Sequence, residues 1–304
     1  MKILLIAMLL LFFSTGAVER IGMPISPSLW DSYLPAAAHP SFASDLGAQR
    51  DGKLAFGFQN ADLAHLSLSV PGLQIISANT KWNINGNQSR WFYDTSKNWL
   101  ADTARYRDIF IVAGGGRLSN IISLNNWDVG IGFTFKNLSV TDTDEKKIWS
   151  DSWFGGSLSF SLNSLLLSAS LDKYEHRYRI AIIEPDNWQA GLEFYQNIND
   201  FSSFGVQPGA EWIFYESIKF HSGMRWQFAE QPSNKRISRV EFLLNFGTSI
   251  RFRPYRSGDP NWIQPIIAPF RGLSALYNWE IAFDSMVDAK YGNYNWLISI
   301  TKWF

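Results

Sequence analysis

The chain has 304 residues, no cysteine, and 27 Lys and Arg residues that balance 27 Asp and Glu residues. This length suffices for one large domain, while the balanced charge excludes a polybasic surface for nucleic acid. The lack of cysteine excludes disulfides, thiolate metal sites and a lipid-modified cysteine. Aromatic residues make up 16% of the chain, which is more than the core of one water-soluble domain requires.

The first seventeen residues predict a secretory signal peptide. Lys2 is followed by an apolar run over residues 3–13 and then by small residues, with Thr15 and Ala17 at the positions expected before a cut. The run is too short for a membrane-spanning helix. Mean hydropathy is only −0.11, and we find no later apolar run near 18 residues. Helical membrane spans are therefore not predicted.

Residues 18–51 are irregular in pattern. Prolines recur at positions 24, 27, 35 and 40, a density that breaks both helices and strand ladders. The segment is either a disordered leader or a hatch folded into the mouth of a barrel, and its apolar content favours the hatch. Trp30 and Phe42 are candidates for contacts with a ligand or plug, or they simply pack the hatch against the barrel wall.

From residue 52 to residue 304, apolar and polar residues alternate in segment after segment, which is the period of a β-strand. In the clearest segment, Trp127, Val129, Ile131, Phe133 and Phe135 share one face. About fourteen strands are predicted: 53–59, 63–70, 73–82, 109–117, 127–137, 152–162, 165–171, 176–183, 187–196, 205–216, 218–229, 237–253, 274–284 and 294–304.

Alternation alone also fits a soluble β-sandwich. The bulk and aromaticity of the apolar faces favour lipid outside and a polar interior, and fourteen strands would make a wide sheet for a soluble domain. We therefore predict an all-β, transmembrane, antiparallel up-and-down β-barrel with an irregular N-terminal hatch. The polar residues expected to face its lumen are His65, Lys219, His221, Arg225, Arg239, Glu241 and Arg251.

Loop lengths agree with this arrangement. The connections at 83–108, 138–151, 198–204, 230–236 and 285–293 follow odd-numbered strands and are long or moderate, whereas most others are short. The exception is the proline-rich segment 254–273 on the side of the short turns. It indicates either a miscounted strand or a genuine periplasmic or lumenal element.

The last strand carries an aromatic residue at each end of an aliphatic centre. Trp296, Ile298, Ile300 and Phe304 share one face, as in strands that cross a bilayer between two aromatic girdles. The strand resembles the terminal strand of bacterial outer-membrane barrels, whose assembly signal ends in an aromatic residue. That resemblance implies an outer-membrane location, contact with outer-membrane lipid and recognition by the barrel assembly machinery. Lys302 departs from the pattern, which usually has an apolar residue there.

Candidate chemistry is sparse. His65, Ser67 and Asn79 resemble in spacing the catalytic residues of outer-membrane phospholipases, in which Ser attacks an ester and His is the base. Those enzymes present the residues to lipid, whereas His65 and Ser67 lie on the polar face, so a lumen-facing His is favoured. Asp142, Asp144 and Glu145 are compatible with a calcium loop, although an exposed acidic loop is commoner. No catalytic site, metal site or cofactor is predicted, and we do not expect an enzyme.

The predicted hatch, strand number and aromatic terminus together resemble the long-chain fatty-acid transporter class of barrels. Within it, the chain most resembles the PorV/PorQ-type proteins of type IX secretion, which carry an Asn-Pro-Ala stretch before the first strand. Here the corresponding stretch reads His39-Pro40-Ser41 and keeps only the proline. The resemblance implies a plugged barrel that passes a hydrophobic small molecule or works with secretion-system proteins. A general diffusion porin is the alternative, and a barrel hydrolase a lesser one.

Overall fold

The computed structural model describes residues 52–59, 62–81, 106–122, 126–141, 147–173, 175–184, 187–198, 204–215, 217–230, 237–268, 277–288 and 294–304. They form fourteen strands: β1 (Lys53–Gln59), β2 (Asp62–Val70), β3 (Leu73–Lys81), β4 (Tyr106–Arg117), β5 (Trp127–Thr141), β6 (Lys147–Leu162), β7 (Leu165–Asp172), β8 (Glu175–Glu184), β9 (Trp188–Asn197), β10 (Phe204–Phe214), β11 (Ile218–Glu230), β12 (Ile237–Arg251), β13 (Trp279–Asp288) and β14 (Tyr294–Trp303). The one described α-helix, α1, spans Gln264–Ile267.

Each strand pairs with its neighbours in the sequence, and β1 pairs with β14, so the sheet is a closed antiparallel barrel. Closure leaves no free strand edge. At the seam, the backbone N–H of Phe304 donates to the carbonyl of Gly52 at 2.9 Å. The predicted fold class and strand number are confirmed. Within the described ranges, no helix is both long enough and apolar enough to span a bilayer.

The largest departures from the predicted boundaries are at two places. The thirteenth strand begins at Trp279 rather than residue 274 and runs on to Asp288. A turn at Tyr277 and Asn278 precedes it, and Asn278 has a φ of 66°, a conformation that asparagine tolerates. The predicted loop at 138–151 is shorter, because the β5–β6 ladder continues to the pair of Thr141 and Lys147.

On the clearest strands the two faces separate by chemistry, in keeping with period-2 alternation. In β8, Arg177 and Arg179 are buried, whereas Tyr178, Ile180 and Ile182 between and beyond them are exposed. The same division holds on β6, where Phe154, Leu158, Phe160 and Leu162 are exposed opposite the buried Ser157 and Ser159. A barrel with an apolar exterior and a polar interior has the surface of a membrane-spanning barrel.

The start of β1 and the end of β14 lie at the same end of the barrel, which we call the terminal end. The tight turns at Pro71-Gly72 and Asn163-Ser164 lie there. Gly72 and Asn163 adopt positive φ of 79° and 50°, as tight hairpin turns demand. The long connection between β12 and β13 is also at this end, so the strand count was correct and the proline-rich segment is a separate element.

Lys302, which breaks the apolar pattern of β14, lies at the rim of this end. Its Nζ donates to the carbonyl of Tyr277 at 3.0 Å and lies 5.2 Å from the centroid of the Trp279 ring. A lysine at the edge of an apolar band can lay its aliphatic stem on that band and extend its amine to polar groups. The side chain is therefore compatible with a strand whose other outward residues, including Ile298 and Ile300, are apolar.

Candidate functional site

Three groups of charged side chains stand out among the described residues of the barrel interior, each built from strands that are close in the barrel. The Arg177 cluster consists of Glu175, Arg177, Glu193, Tyr195, Gln207 and Arg225. Arg177 donates from Nη1 to Glu193 Oε1 at 2.6 Å and from Nε to Glu175 Oε1 at 2.7 Å. Gln207 Nε2 donates to the same Glu193 oxygen at 3.4 Å. One arginine thus joins two carboxylates.

These ions are shielded from solvent. Arg177 is 1% exposed, and Glu193 and Gln207 have no exposed surface. Removing an ion from water costs several kcal/mol, and only well-formed ion pairs with further hydrogen bonds offset that cost. The short contacts of Arg177 to two carboxylates meet this requirement. The cluster is therefore a fixed part of the barrel wall rather than a set of solvated side chains.

Tyr195 lies between two arginines of the same cluster. Its ring centroid is 5.4 Å from the guanidinium carbon of Arg177 and 5.0 Å from that of Arg225, within the range of cation–π attraction. The ring reaches over β10 at Gly205, where a Cβ would lie 2.0 Å from the ring. Only glycine leaves room for the tyrosine at this point, so Gly205 permits the bridge between β8 and β11.

A second group lies near the terminal end. The Trp303 cluster consists of Lys219, Ser249, Arg251, Glu280 and Trp303. Glu280 accepts hydrogen bonds from Ser249 Oγ at 2.6 Å and from Trp303 Nε1 at 3.0 Å, and Lys219 Nζ lies 3.9 Å from its Oε1. The Arg251 guanidinium is 4.2 Å from the Trp303 ring centroid. Trp303 is buried inside the barrel, so the last strand contributes an inward aromatic as well as outward ones.

The third group is an ion pair that spans three strands. Lys136 on β5 donates to Asp172 on β7 at 2.7 Å, and the two side chains are 5% and 7% exposed. The intervening strand carries Gly155, where a Cβ would lie 2.8 Å from Cβ of Asp172. The small residue lets the two charges meet over β6.

The outer wall carries an apolar concavity of about 680 Å³ on strands β5–β9. Ala169 pairs directly with Leu158 on one side and Tyr178 on the other, so a small side chain lies between two large exposed ones. The surrounding outward side chains are Val129, Phe160, Leu167, Ile180, Leu192 and Phe194. The concavity is an open depression in the outer wall rather than an enclosed cavity.

The structure places the residues that the sequence singled out as follows. Lys219, His221, Arg225 and Arg251 lie on the inward face, with His221 paired in register to Glu211. Glu211 accepts from Gln189 Nε2 at 2.9 Å. His65 is in β2 and Arg239 and Glu241 are in β12, but their side chains, like that of Trp296 in β14, lie outside the described part. Trp30, Phe42 and the acidic loop at 142–145 lie outside the described residues altogether.

Ser67, the nucleophile of the hydrolase alternative, is 2% exposed. It pairs with Ala55 and Ile76, both buried on the inward face. A lipid-facing ester would not reach it, so this position does not favour a lipid hydrolase. Among the described residues, no group of three or more His, Cys, Asp or Glu side chains is placed to hold a metal ion.

The alternation of β9 could have identified Glu193 and Tyr195, because they occupy the positions opposite Leu192 and Phe194. It could not have shown their contacts with Arg177, which depend on the register between β8 and β9. Glu280 and Trp303 were missed for a similar reason. Trp303 belongs to the mostly polar set of the last strand, and its contact with Glu280 depends on the register between β13 and β14.

No family model matches the chain, and no curated protein matches it. Solved structures with a similar architecture include the CymD monoaromatic hydrocarbon channel, at 10% identity and a TM-score of 0.48, covering 97% of this chain and 98% of that one. The P. putida toluene transporter TodX has 7% identity and a TM-score of 0.47, with 88% and 93% covered. A mutant Rh. blastica porin has 9% identity and a TM-score of 0.38, with 84% and 99% covered. At these values the likeness concerns architecture alone.

Proposed function

We propose that this chain is an outer-membrane barrel with a closed interior, and that it serves the passage of a hydrophobic ligand rather than free diffusion of hydrophilic solutes. The observation that carries the proposal is the burial of the inward charges. Arg177, Glu193 and Glu280 are at most 1% exposed.

A general diffusion porin requires water along its lumen, and in a wide pore the charged wall residues are hydrated. Here the inward charges of the three groups described above are bound within the barrel wall instead. The Arg177 cluster, the Trp303 cluster and the pair of Lys136 and Asp172 involve strands from β5 to β14. Such pairing of inward charges along so much of the wall favours a barrel interior that solutes do not cross freely.

The ligand class follows from the outer wall and from the resemblance noted in the sequence. The outward side chains around Ala169 are aliphatic and aromatic, while Ser159, Ser168 and Arg179 of the lining point inward. This favours an apolar compound such as a fatty acid or an aromatic hydrocarbon. A ligand that partitions into the bilayer reaches this surface directly. We place the first contact of the ligand there.

The signal peptide at 1–17 and the hatch at 18–51 complete the proposal as predictions from sequence. They imply export, assembly by the outer-membrane machinery and a plug in the barrel mouth. The alternative of a PorV/PorQ-like component of protein secretion also stays a prediction, since the described residues contain no feature specific to it. We propose no enzymatic activity and no cofactor.

The test uses the refolded mature protein in liposomes with two probes. We expect no swelling in sugar solutions, and we expect the barrel to accelerate transfer of a fluorescent fatty acid across the bilayer. Ala169→Trp should slow that transfer several-fold by filling the concavity, whereas Ile121→Trp, on an exposed turn, should not. Rapid swelling in sugars would establish a porin instead. Equal fatty-acid transfer by wild type and Ala169→Trp would remove the concavity from the proposal.

A further inference from the structure

The segment between β12 and β13 packs against the outside of the barrel. Ile218, the first residue of β11, pairs in register with Phe214 and Ile250, and Ile250 pairs with Ile281. Phe214 and Ile281 are both exposed on the outward face, so Ile218 points outward as well. Yet it is only 7% exposed, because Ile263, Ile267 and Ala268 cover it.

The covering segment is firmly fixed to the rim. Arg253 donates through both Nη atoms to the two carboxylate oxygens of Asp259 at 2.7 Å, the bidentate geometry that makes such pairs strong. The same side chain donates to the carbonyl of Tyr215 at 2.8 Å and to Ser217 Oγ at 2.7 Å. Tyr255 donates from its hydroxyl to the carbonyl of Asp259 at 2.6 Å. The β10–β11 turn and the segment thus form one hydrogen-bonded unit.

This unit presents aromatic rings that remain exposed. Trp262 is 58% exposed and its ring is 6.0 Å from that of Tyr215, itself 43% exposed. Next to them Phe214 contacts Phe220, 5.8 Å away, on the outward face of β11. The patch therefore adjoins the apolar exterior of the barrel at Phe220.

The position of this aromatic patch along the barrel axis follows from strand geometry. The outward apolar positions of β11 run from Ile218 to Phe228. Ten residues at a rise of about 3.3 Å and a tilt of about 40° span roughly 25 Å, which is the height of the apolar band of a membrane barrel. Ile218 thus marks the edge of that band at the terminal end, and Trp262 and Tyr215 lie at headgroup level.

We propose that residues 260–268, with Phe214 and Tyr215, form an interfacial foot that binds the phospholipid surface at the terminal end of the barrel. Tryptophan and tyrosine favour this zone because their rings are apolar while their N–H and O–H groups reach water. Continuity with the lipid-facing band identifies the membrane, rather than a second protein, as the partner. The inference rests on the membrane-spanning barrel and is independent of the ligand.

The cysteine-free chain allows a direct test by single labels. Trp262→Cys carries an environment-sensitive fluorophore in phosphatidylcholine liposomes that contain nitroxide-labelled lipids. Phe220→Cys, on the lipid-facing wall, and Gly258→Cys, where a Cβ meets nothing within 4 Å, are the lipid and water controls. Heat-modifiable migration on gels verifies that each variant has folded.

We expect a shallow nitroxide to quench the probe at position 262 at least about twofold more than the probe at 258. The probe at 220 should be quenched better by a deep nitroxide than by a shallow one. The proposal is overturned if the probe at 262 matches that at 258 and is quenched equally by aqueous iodide. The patch would then face water, where another protein could bind it.

Discussion

Gly205 allows the deepest test of the interior packing. Replacing it with Ala would place a Cβ 2.0 Å from Cζ of Tyr195 and 2.1 Å from its hydroxyl oxygen. The ring would have to move by about 1.4 Å to regain an ordinary contact, in a densely packed interior. That movement disturbs its position between Arg177 and Arg225. We expect Gly205→Ala to lower the free energy of unfolding by about 1–3 kcal/mol through overpacking, with lost cation–π attraction adding up to about 2 kcal/mol.

The assay is urea-induced unfolding in lipid vesicles, followed by tryptophan fluorescence. Gly116→Ala is the matched control, because a Cβ at this β4 position meets nothing within 4 Å, so it should be neutral or slightly stabilising. In a Tyr195→Ala background the cost of Gly205→Ala should fall below about 0.5 kcal/mol, since the clash is gone. If Gly205→Ala and Gly116→Ala have the same stability, Tyr195 does not occupy the position described and the reasoning is refuted.

Three further outcomes follow from the contacts. Glu193→Gln removes one of two anions that hold the buried Arg177, so we expect a loss of about 3–5 kcal/mol in unfolding free energy; unchanged urea midpoints would contradict the buried ion pair. The two hydrogen bonds from the Arg253 guanidinium lower the pKa of Asp259 to about 2. The stabilisation that these hydrogen bonds give the fold should be complete above pH 3.8, the ordinary pKa of Asp, and should be lost as pH falls through 2. Carboxyl NMR titration of wild type and Arg253→Gln checks this, because the pKa of Asp259 should return toward 3.8 in the variant. Phe304→Ala removes a ring that packs on the first residue before β1, and the folded fraction in outer-membrane preparations should drop; equal amounts of folded barrel would show that the terminal ring is dispensable.

Much of the fold was predictable because alternation is a local property. Each strand shows its two faces in its own residues, as in β5, where Ile131 and Phe133 are exposed while Thr134 and Lys136 are buried. An apolar face that recurs from strand to strand leaves a closed barrel as the arrangement without free edges. Boundaries failed where a turn residue interrupts the pattern, as Asn278 does before β13.

The interior contacts could not be predicted because they depend on register and on small neighbours. Arg225 was predicted to face the lumen, but its contact with Tyr195 requires the ring to cross over Gly205. Lys136 reaches Asp172 only because Gly155 lies between them. The outward packing of Ile263 and Ile267 was not predictable either, since a proline-rich segment has no period that assigns a face.

The central claim is that the barrel interior is closed, and single-channel recording of the refolded mature protein in a planar bilayer tests it most directly. We predict silence from the full mature chain, because the inward charges are bound to one another rather than hydrated. The chain that lacks residues 18–51, the predicted hatch, is then recorded in the same way. Any conductance that it shows measures how far that segment blocks the lumen. Steady, ohmic conductance from the full mature chain would contradict the claim and establish an open porin.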